Sequence, residues 1–132
     1  QYVAVDDCGV QINPLIVDGQ VHGGVVQGLA QALFEEAVYD TDGNLKTSTL
    51  AEYLVPAASD VPPITTDHTV TPSPTNAMGV KGIGEAGTIG AAPAVINAVV
   101  DALSGLVVRD IPMPASPLNV WKAIQAANGG SQ

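Results

Sequence analysis

Glu85 lies in the segment Gly79-Val80-Lys81-Gly82-Ile83-Gly84-Glu85-Ala86-Gly87, directly before a strongly apolar run. Glycines let a backbone press against a ligand and turn its N–H groups toward it. Lys81 adds a positive charge, and Glu85 is a carboxylate able to accept a proton. Between Gly84 and the apolar run, that carboxylate is expected to be poorly solvated, which favours the protonated form and suits a general base. Two plainer readings stand beside this one. The glycines can serve close helix packing alone, and a glutamate at a helix start is favoured by the macrodipole without doing chemistry.

Gly82-Ile83-Gly84-Glu85-Ala86-Gly87 also matches the G-x-G-x-x-G pattern of dinucleotide-binding sites. That pattern requires a buried strand immediately before the glycines. Thr71-Pro72-Ser73-Pro74-Thr75-Asn76 occupies that place, and two prolines there are incompatible with a central parallel strand. Asp101 stands near the expected spacing for a ribose-binding acid, but inside a helical run. Nicotinamide binding is therefore disfavoured.

The elements that must position this loop are legible in outline. Asn13-Pro14 combines a favoured N-cap with proline at the first helical position, opening a helix expected to run to about Val38. Val21, Val25, Leu29 and Ala32/Leu33 form its apolar stripe, while Gln20, Gln27 and Gln31 form an amide stripe. Gly23, Gly24 and Gly28 interrupt it and imply close approach by another backbone or a ligand. Thr88 to Leu103 is strongly apolar, and Pro93 suits the first turn of a second helix running to Leu103; Ser116-Pro117 opens a third that runs to about Ala127 and ends at Asn128-Gly129-Gly130. Strands are expected near Tyr2–Val5, Ala37–Tyr39, Leu45–Ser48, Ile64–Val70 and Leu106–Val108, with Asp42-Gly43 turning a hairpin. Val10–Ile12 can extend the first strand, and Thr49–Val55 reads as a short strand or a turn. The expected class is α+β, three helices on a small mixed or antiparallel sheet, within one domain over residues 1–132. Asp6, Asp7 and Cys8 read as a turn, His22 as a packing or surface residue, and Trp121 as core or interface.

Composition bounds the function. Hydrophobic residues are 46% of the 132 and charged residues 13%, so disorder is unfavourable and much of the surface is expected to meet other protein. The net charge of −9, with Lys46, Lys81, Arg109 and Lys122 as the basic residues, excludes a nucleic-acid footprint and disfavours an anionic membrane. No run is long enough for a membrane span, and no signal peptide is visible. Beginning at Gln1 inside a strand-like stretch, the chain reads as a fragment or a processed product. Cys8 has no partner for a disulfide, and with His22 and His68 it lacks the spacing of a zinc site. A reducing, cytoplasmic compartment is the expectation.

Several segments in order resemble one family. They are Asp7-Cys8-Gly9 with Ile12-Asn13-Pro14; Gly19-Gln20-Val21-His22-Gly23-Gly24; Gln27 through Glu36; Tyr53-Leu54-Val55-Pro56; Lys81-Gly82-Ile83-Gly84-Glu85; and Ile111-Pro112 with Pro117, Val120 and Trp121. Together they resemble the C-terminal part of the molybdenum-binding subunit of the xanthine dehydrogenase/aldehyde oxidase family, of the bacterial aerobic carbon monoxide dehydrogenase and aldehyde oxidoreductase type. The resemblance implies a molybdenum ion held by a pterin dithiolene, often as molybdopterin cytosine dinucleotide in bacteria. It implies that Glu85 is the catalytic base, taking a proton from a metal-bound hydroxide. It implies that Gln20 contacts the pterin, that Lys81, Gly82, Ile83 and Gly84 offer backbone N–H groups to the cofactor, and that Asn13 approaches it. Hydroxylation of a small carbonyl, aldehyde, N-heterocycle or carbon monoxide would follow, with iron–sulfur and flavin (FAD) groups on partner subunits. Subunits of this family are several times longer. The chain is thus expected to carry the base and part of the cradle, and to be catalytically incomplete without the rest of its subunit. A purely structural or interaction fragment is the alternative.

Overall fold

The structure is a computed structural model and describes residues 1–129. Its elements are β1 (Tyr2–Asp6), α1 (Pro14–Leu33), β2 (Ile64–His68), α2 (Ala86–Ala102) and α3 (Pro117–Gly129), with 3₁₀ turns at Ala58–Asp60 and Ser104–Leu106. The class is α+β with three helices, as expected. The chain divides into two compact units, Gln1–Gly28 with Ala58–Ala91 and Leu29–Ala57 with Ala92–Gln132.

In the first unit β1 and β2 form a two-stranded sheet that is parallel, with Tyr2 opposite Ile64 and Asp6 opposite His68. A mixed or antiparallel sheet was expected. The correction has a topological reason: the chain leaves β1, runs through α1 and returns, and a long excursion of this kind permits parallel pairing. Ala4, Val21, Val25 and Ala91 form the core beneath the sheet, with Tyr2, Ile64 and Ile83 packed against it. The predicted α1 stripe is thus the buried one here, Val25 being fully enclosed. Val10–Ile12 is no strand; one antiparallel bridge, Gly9 to Val80, stands in its place.

In the second unit the buried hydrophobic residues among those described are Leu29, Ala30, Ala32, Val108, Ile111 and Ala115, and Pro114 is buried beside them in sequence. The Ala115 N–H donates to the Ala32 carbonyl at 2.6 Å. α1 stops at Leu33 rather than near Val38. Glu35 and Glu36 follow, and acidic side chains at a helix C-terminus oppose the macrodipole; Glu35 instead accepts the Tyr53 hydroxyl at 3.1 Å. The expected hairpin shrinks to a single bridge, Tyr39 to Leu45, because the Asp40 carboxylate gathers the Asp42 and Asn44 N–H groups into a tight turn with Gly43 at φ +84°. Thr49–Val55 is a turn, its carbonyl at Thr49 accepting from Glu52 and Tyr53. Leu106–Val108 is not a strand either: Val107 adopts a left-handed conformation at φ 61° and closes the 3₁₀ turn onto Ser104.

α2 begins at Ala86, one residue after Glu85, so Pro93 lies inside the helix and not in its first turn. The acceptor its ring leaves unbonded is the carbonyl of Ile89, a residue 72% exposed, where water can replace the missing N–H. α3 is opened by Ser116, whose hydroxyl accepts the Asn119 N–H at 3.3 Å. Of its expected stop signal, Gly130 lies outside the described residues. Trp121 is 57% exposed and Leu118 likewise, so Trp121 is not core.

Candidate functional site

The glycine loop is fixed from below by the segment that follows β1, Asp7 to Val10. The Val10 N–H donates to the Gly79 carbonyl at 3.0 Å, and the Lys81 N–H to the Cys8 carbonyl at 2.8 Å. This join tolerates no side chain at Gly9, whose φ is +69° and whose added Cβ would stand 2.1 Å from the Gly79 oxygen. Asp7 completes the fixing. Its Oδ1 accepts the Gly9 N–H at 2.9 Å, the Thr71 N–H at 3.1 Å and the Lys81 ammonium at 3.0 Å. The Thr71 hydroxyl and the Gly9 and Thr71 N–H groups, with Lys81, hold the Asp7 carboxyl well below the usual carboxylate range. The Lys81 charge is therefore matched by Asp7 rather than free. By sequence alone Asp7 is a simple turn residue. The visible signal was Asp7-Cys8-Gly9, an aspartate two residues before a glycine, which is the pattern of an Asx turn. Nothing local named Thr71 and Lys81 as its other partners.

From above, the loop is set by the crossing of α1 and the start of α2. A Cβ on Gly87 would lie 2.5 Å from the Val21 carbonyl oxygen, and one on Gly24 would lie 2.9 Å from the Thr88 nitrogen. The Thr88 hydroxyl donates to the Gly24 carbonyl at 3.1 Å and stands 3.3 Å from Gln27 Oε1. Gly24 thus has the close backbone approach inferred for it, whereas a Cβ on Gly23 would meet nothing within 4 Å. Gln20 precedes Val21 and Glu85 stands two residues before Gly87, so the same crossing positions both.

Glu85 is the residue before α2, and its carbonyl accepts the N–H groups of Thr88 and Ile89 at 3.1 Å each. Its side chain is exposed, not desolvated as the sequence suggested. The reason is the openness of its surroundings: Gly82, Gly84, Ala86 and Ile89 line a shallow recess of about 500 Å³ with it. Added Cβ atoms at Gly82 and Gly84 would meet nothing within 4 Å. The N–H groups of Gly82, Ile83, Gly84 and Glu85 donate to no other described residue, whereas that of Lys81 is taken by Cys8. Four successive free donors at the N-terminal end of a helix of seventeen residues favour a ligand carrying anionic or carbonyl oxygens.

The remaining predicted residues are divided. Asn13 caps α1 by accepting the Ile16 N–H at 3.2 Å. It lines a second cleft, of about 220 Å³, together with Cys8, Val17, Lys81 and Ile83. Gln20 is exposed on α1 and its amide makes no hydrogen bond to a described residue. Among the described residues no three His, Cys, Asp or Glu side chains converge as a metal site, and no helix is long and apolar enough to cross a membrane.

Residues 1–62 match the family model of the molybdopterin cofactor-binding domain. The chain is 42% identical, over 97% of its length, to the carbon monoxide dehydrogenase large chain of Hydrogenophaga pseudoflava, of which it covers 16%. It is 49% identical, over 91% of its length, to the nicotine 6-hydroxylase large subunit of Paenarthrobacter nicotinovorans, of which it covers 15%. Its backbone matches the reconstituted CO dehydrogenase of Oligotropha carboxidovorans with a TM-score of 0.91 and 40% identity, over 97% of this chain and 16% of that one. The chain therefore spans about a sixth of the length of the relatives it matches. A cofactor-domain match over the segment that carries Asn13 and Gln20, joined to this likeness of sequence and backbone across nearly the whole chain, means that it belongs to the molybdenum-binding large subunits of the xanthine dehydrogenase/aldehyde oxidase family, near the carbon monoxide dehydrogenase type.

Proposed function

We propose that this chain is the C-terminal part of a molybdenum hydroxylase subunit and forms one wall of its molybdopterin site. The observation that carries the reading is the row of free N–H donors from Gly82 to Glu85, with the Glu85 carboxylate exposed in the same recess. The residues fit the group. Open glycines admit close approach, and four donors at a helix start suit the oxygens of a pterin and its phosphates. When bound, the molybdenum–pterin group supplies two-electron oxidation and activates water as the oxygen source.

The chain's own residues have separate tasks. Gly82, Ile83 and Gly84 donate backbone hydrogen bonds to the cofactor. Lys81 anchors the loop through Asp7 and lends its N–H to Cys8, so it holds the cradle's shape. Gln20, with a free amide on the adjacent helix, binds the pterin edge, and Asn13 orients the start of that helix toward it. Glu85 accepts and returns a proton at its carboxylate during turnover. Closure of the site by the rest of the subunit would dry this carboxylate and strengthen it as a base.

The substrate would be carbon monoxide, an aldehyde, another small carbonyl or an N-heterocycle. The cofactor would take the cytosine dinucleotide form, and electrons would leave through iron–sulfur and flavin subunits. The single free thiol, Cys8, suits a cytoplasmic enzyme.

Glu85→Gln in the complete enzyme tests the reading. Turnover should fall by about 10²–10⁴-fold, the usual worth of a general base, with molybdenum and pterin contents unchanged. Retained turnover removes Glu85 from the role of base. Loss of cofactor from a folded variant assigns Glu85 to binding instead.

A further inference from the structure

β1 carries an unfilled edge. The Tyr2 N–H donates to Pro63 and the Asp6 carbonyl accepts from Thr69, so residues 2, 4 and 6 direct their peptide groups to β2. In a parallel strand the alternate residues point the other way. The N–H and C=O groups of Val3 and Val5 therefore face away from β2, and among the described residues the sheet has no third strand. The Val3 and Val5 side chains are 61% and 60% exposed on the face opposite Ala4. Tyr-Val-Ala-Val is apolar on both faces, the pattern of a strand buried on both sides. β2 differs: Ile64-Thr65-Thr66-Asp67-His68 carries polar and charged residues suited to a sheet edge.

A groove runs along this edge. Val3 and Val5 line it with Val25, Ala86, Gly87 and Gly90, and its volume is about 190 Å³. The far wall is the first turns of α2, and an added Cβ at Gly90 would meet nothing within 4 Å. The wall is thus low enough for another backbone to lie beside β1.

We propose that a β-strand from the remaining five-sixths of the same large subunit adds to the Val3–Val5 edge of β1 and fills this groove. This occupant rests on the reading of the chain as part of a large subunit and is independent of the role of Glu85. This backbone matches its relative at a TM-score of 0.91 while making up 16% of that chain, so the same strand pair exists there inside a much longer polypeptide. Main-chain hydrogen bonds to Val3 and Val5 would supply affinity, and alternate apolar side chains of the incoming strand would cover the two valines. Since Ala86 and Gly87 form the other wall, the added strand would also brace the residue before them, Glu85.

Amide hydrogen exchange on the complete, assembled large subunit tests the edge. The Val3 and Val5 amides should exchange at least about 100-fold more slowly than unprotected amides. Fast exchange at both in the assembled subunit overturns the proposal. The occupant is tested separately in the complete enzyme carrying Val3→Cys, labelled with a short photo-crosslinker and analysed by peptide mass spectrometry. A crosslink to a segment of the same large subunit is expected. A crosslink to a second copy, or to an iron–sulfur or flavin subunit, overturns it. Neither measurement depends on turnover, so failure of Glu85 as a base would leave this proposal standing, and the reverse.

Discussion

Lys81 Nζ lies 3.0 Å from Asp7 Oδ1, and this pair ties the glycine loop to the end of β1 across the join made by Gly9 and Val80. The same carboxylate accepts two backbone N–H groups, so it works as a clamp on three segments. The clamp gives the loop a defined shape independent of any ligand.

Acid should loosen that clamp. Asp7 titrates at a lower pH in the folded chain than its ordinary value near 3.8. A depressed carboxylate contributes stability that is present above its unfolded value and is lost as pH falls through its folded one. Asp7→Asn should lower the melting temperature of the subunit at neutral pH, and the gap from the unaltered protein should narrow progressively below about pH 4. Thermal melts across pH 2–7 would check this; a gap independent of pH would remove the ionised Asp7 as its source.

The helix crossing makes a sharper contrast. Gly87→Ala places a methyl 2.5 Å from the Val21 carbonyl oxygen, a backbone atom that cannot swing aside. Overpacking of this kind costs about 1–3 kcal/mol. Gly23→Ala meets open space one residue from Gly24 and should instead stabilise by up to about 1 kcal/mol through helix propensity. Denaturant titration of the two variants decides, and equal effects would contradict the crossing.

Gln20→Ala should separate binding from folding. The amide is exposed and bonds to no described residue, so stability should stay within about 0.5 kcal/mol. Molybdopterin content of the complete enzyme should fall, measured as released pterin per subunit. Full pterin occupancy would take Gln20 out of the cradle.

In the second unit, the hydrogen bond to Glu35, then desolvation and the Glu35 charge, raise the Tyr53 phenol above its ordinary value near 10. The neutral phenol is favoured by the fold, so its stabilisation holds below about pH 10 and is lost as pH rises beyond. Ultraviolet titration should show one late tyrosine that disappears in Glu35→Gln. An unchanged late phase would assign the shift to another residue.

Much of the architecture was written locally. Asn13-Pro14 and Ser116-Pro117 marked helix starts because an N-cap and a proline act within one turn. Val21, Val25 and Leu29 marked the buried face of α1 because periodicity needs no partner to be visible. Pro72 and Pro74 excluded a strand before the glycine loop for the same reason, and no strand stands there. The short pieces were harder. Ala37–Tyr39 and Leu106–Val108 are as strand-like in composition as β1, but a strand exists only where a partner segment extends a ladder along it; the first meets Leu45 in one bridge alone, and the second has no bridge to a described residue.

The sequence by itself determined the family, three helices and a glycine loop ending in a carboxylate, because these rest on residue order and local propensity. Only the tertiary structure decided that β1 and β2 run parallel, that Asp7 matches the charge of Lys81 and that Gly87 rests on Val21. It also decided that the N–H groups from Gly82 to Glu85 are left free while that of Lys81 is not. The pairings join residues far apart in the chain, and a hydrogen-bonding group is satisfied or left open according to what the fold brings within reach, not by what neighbours it in sequence.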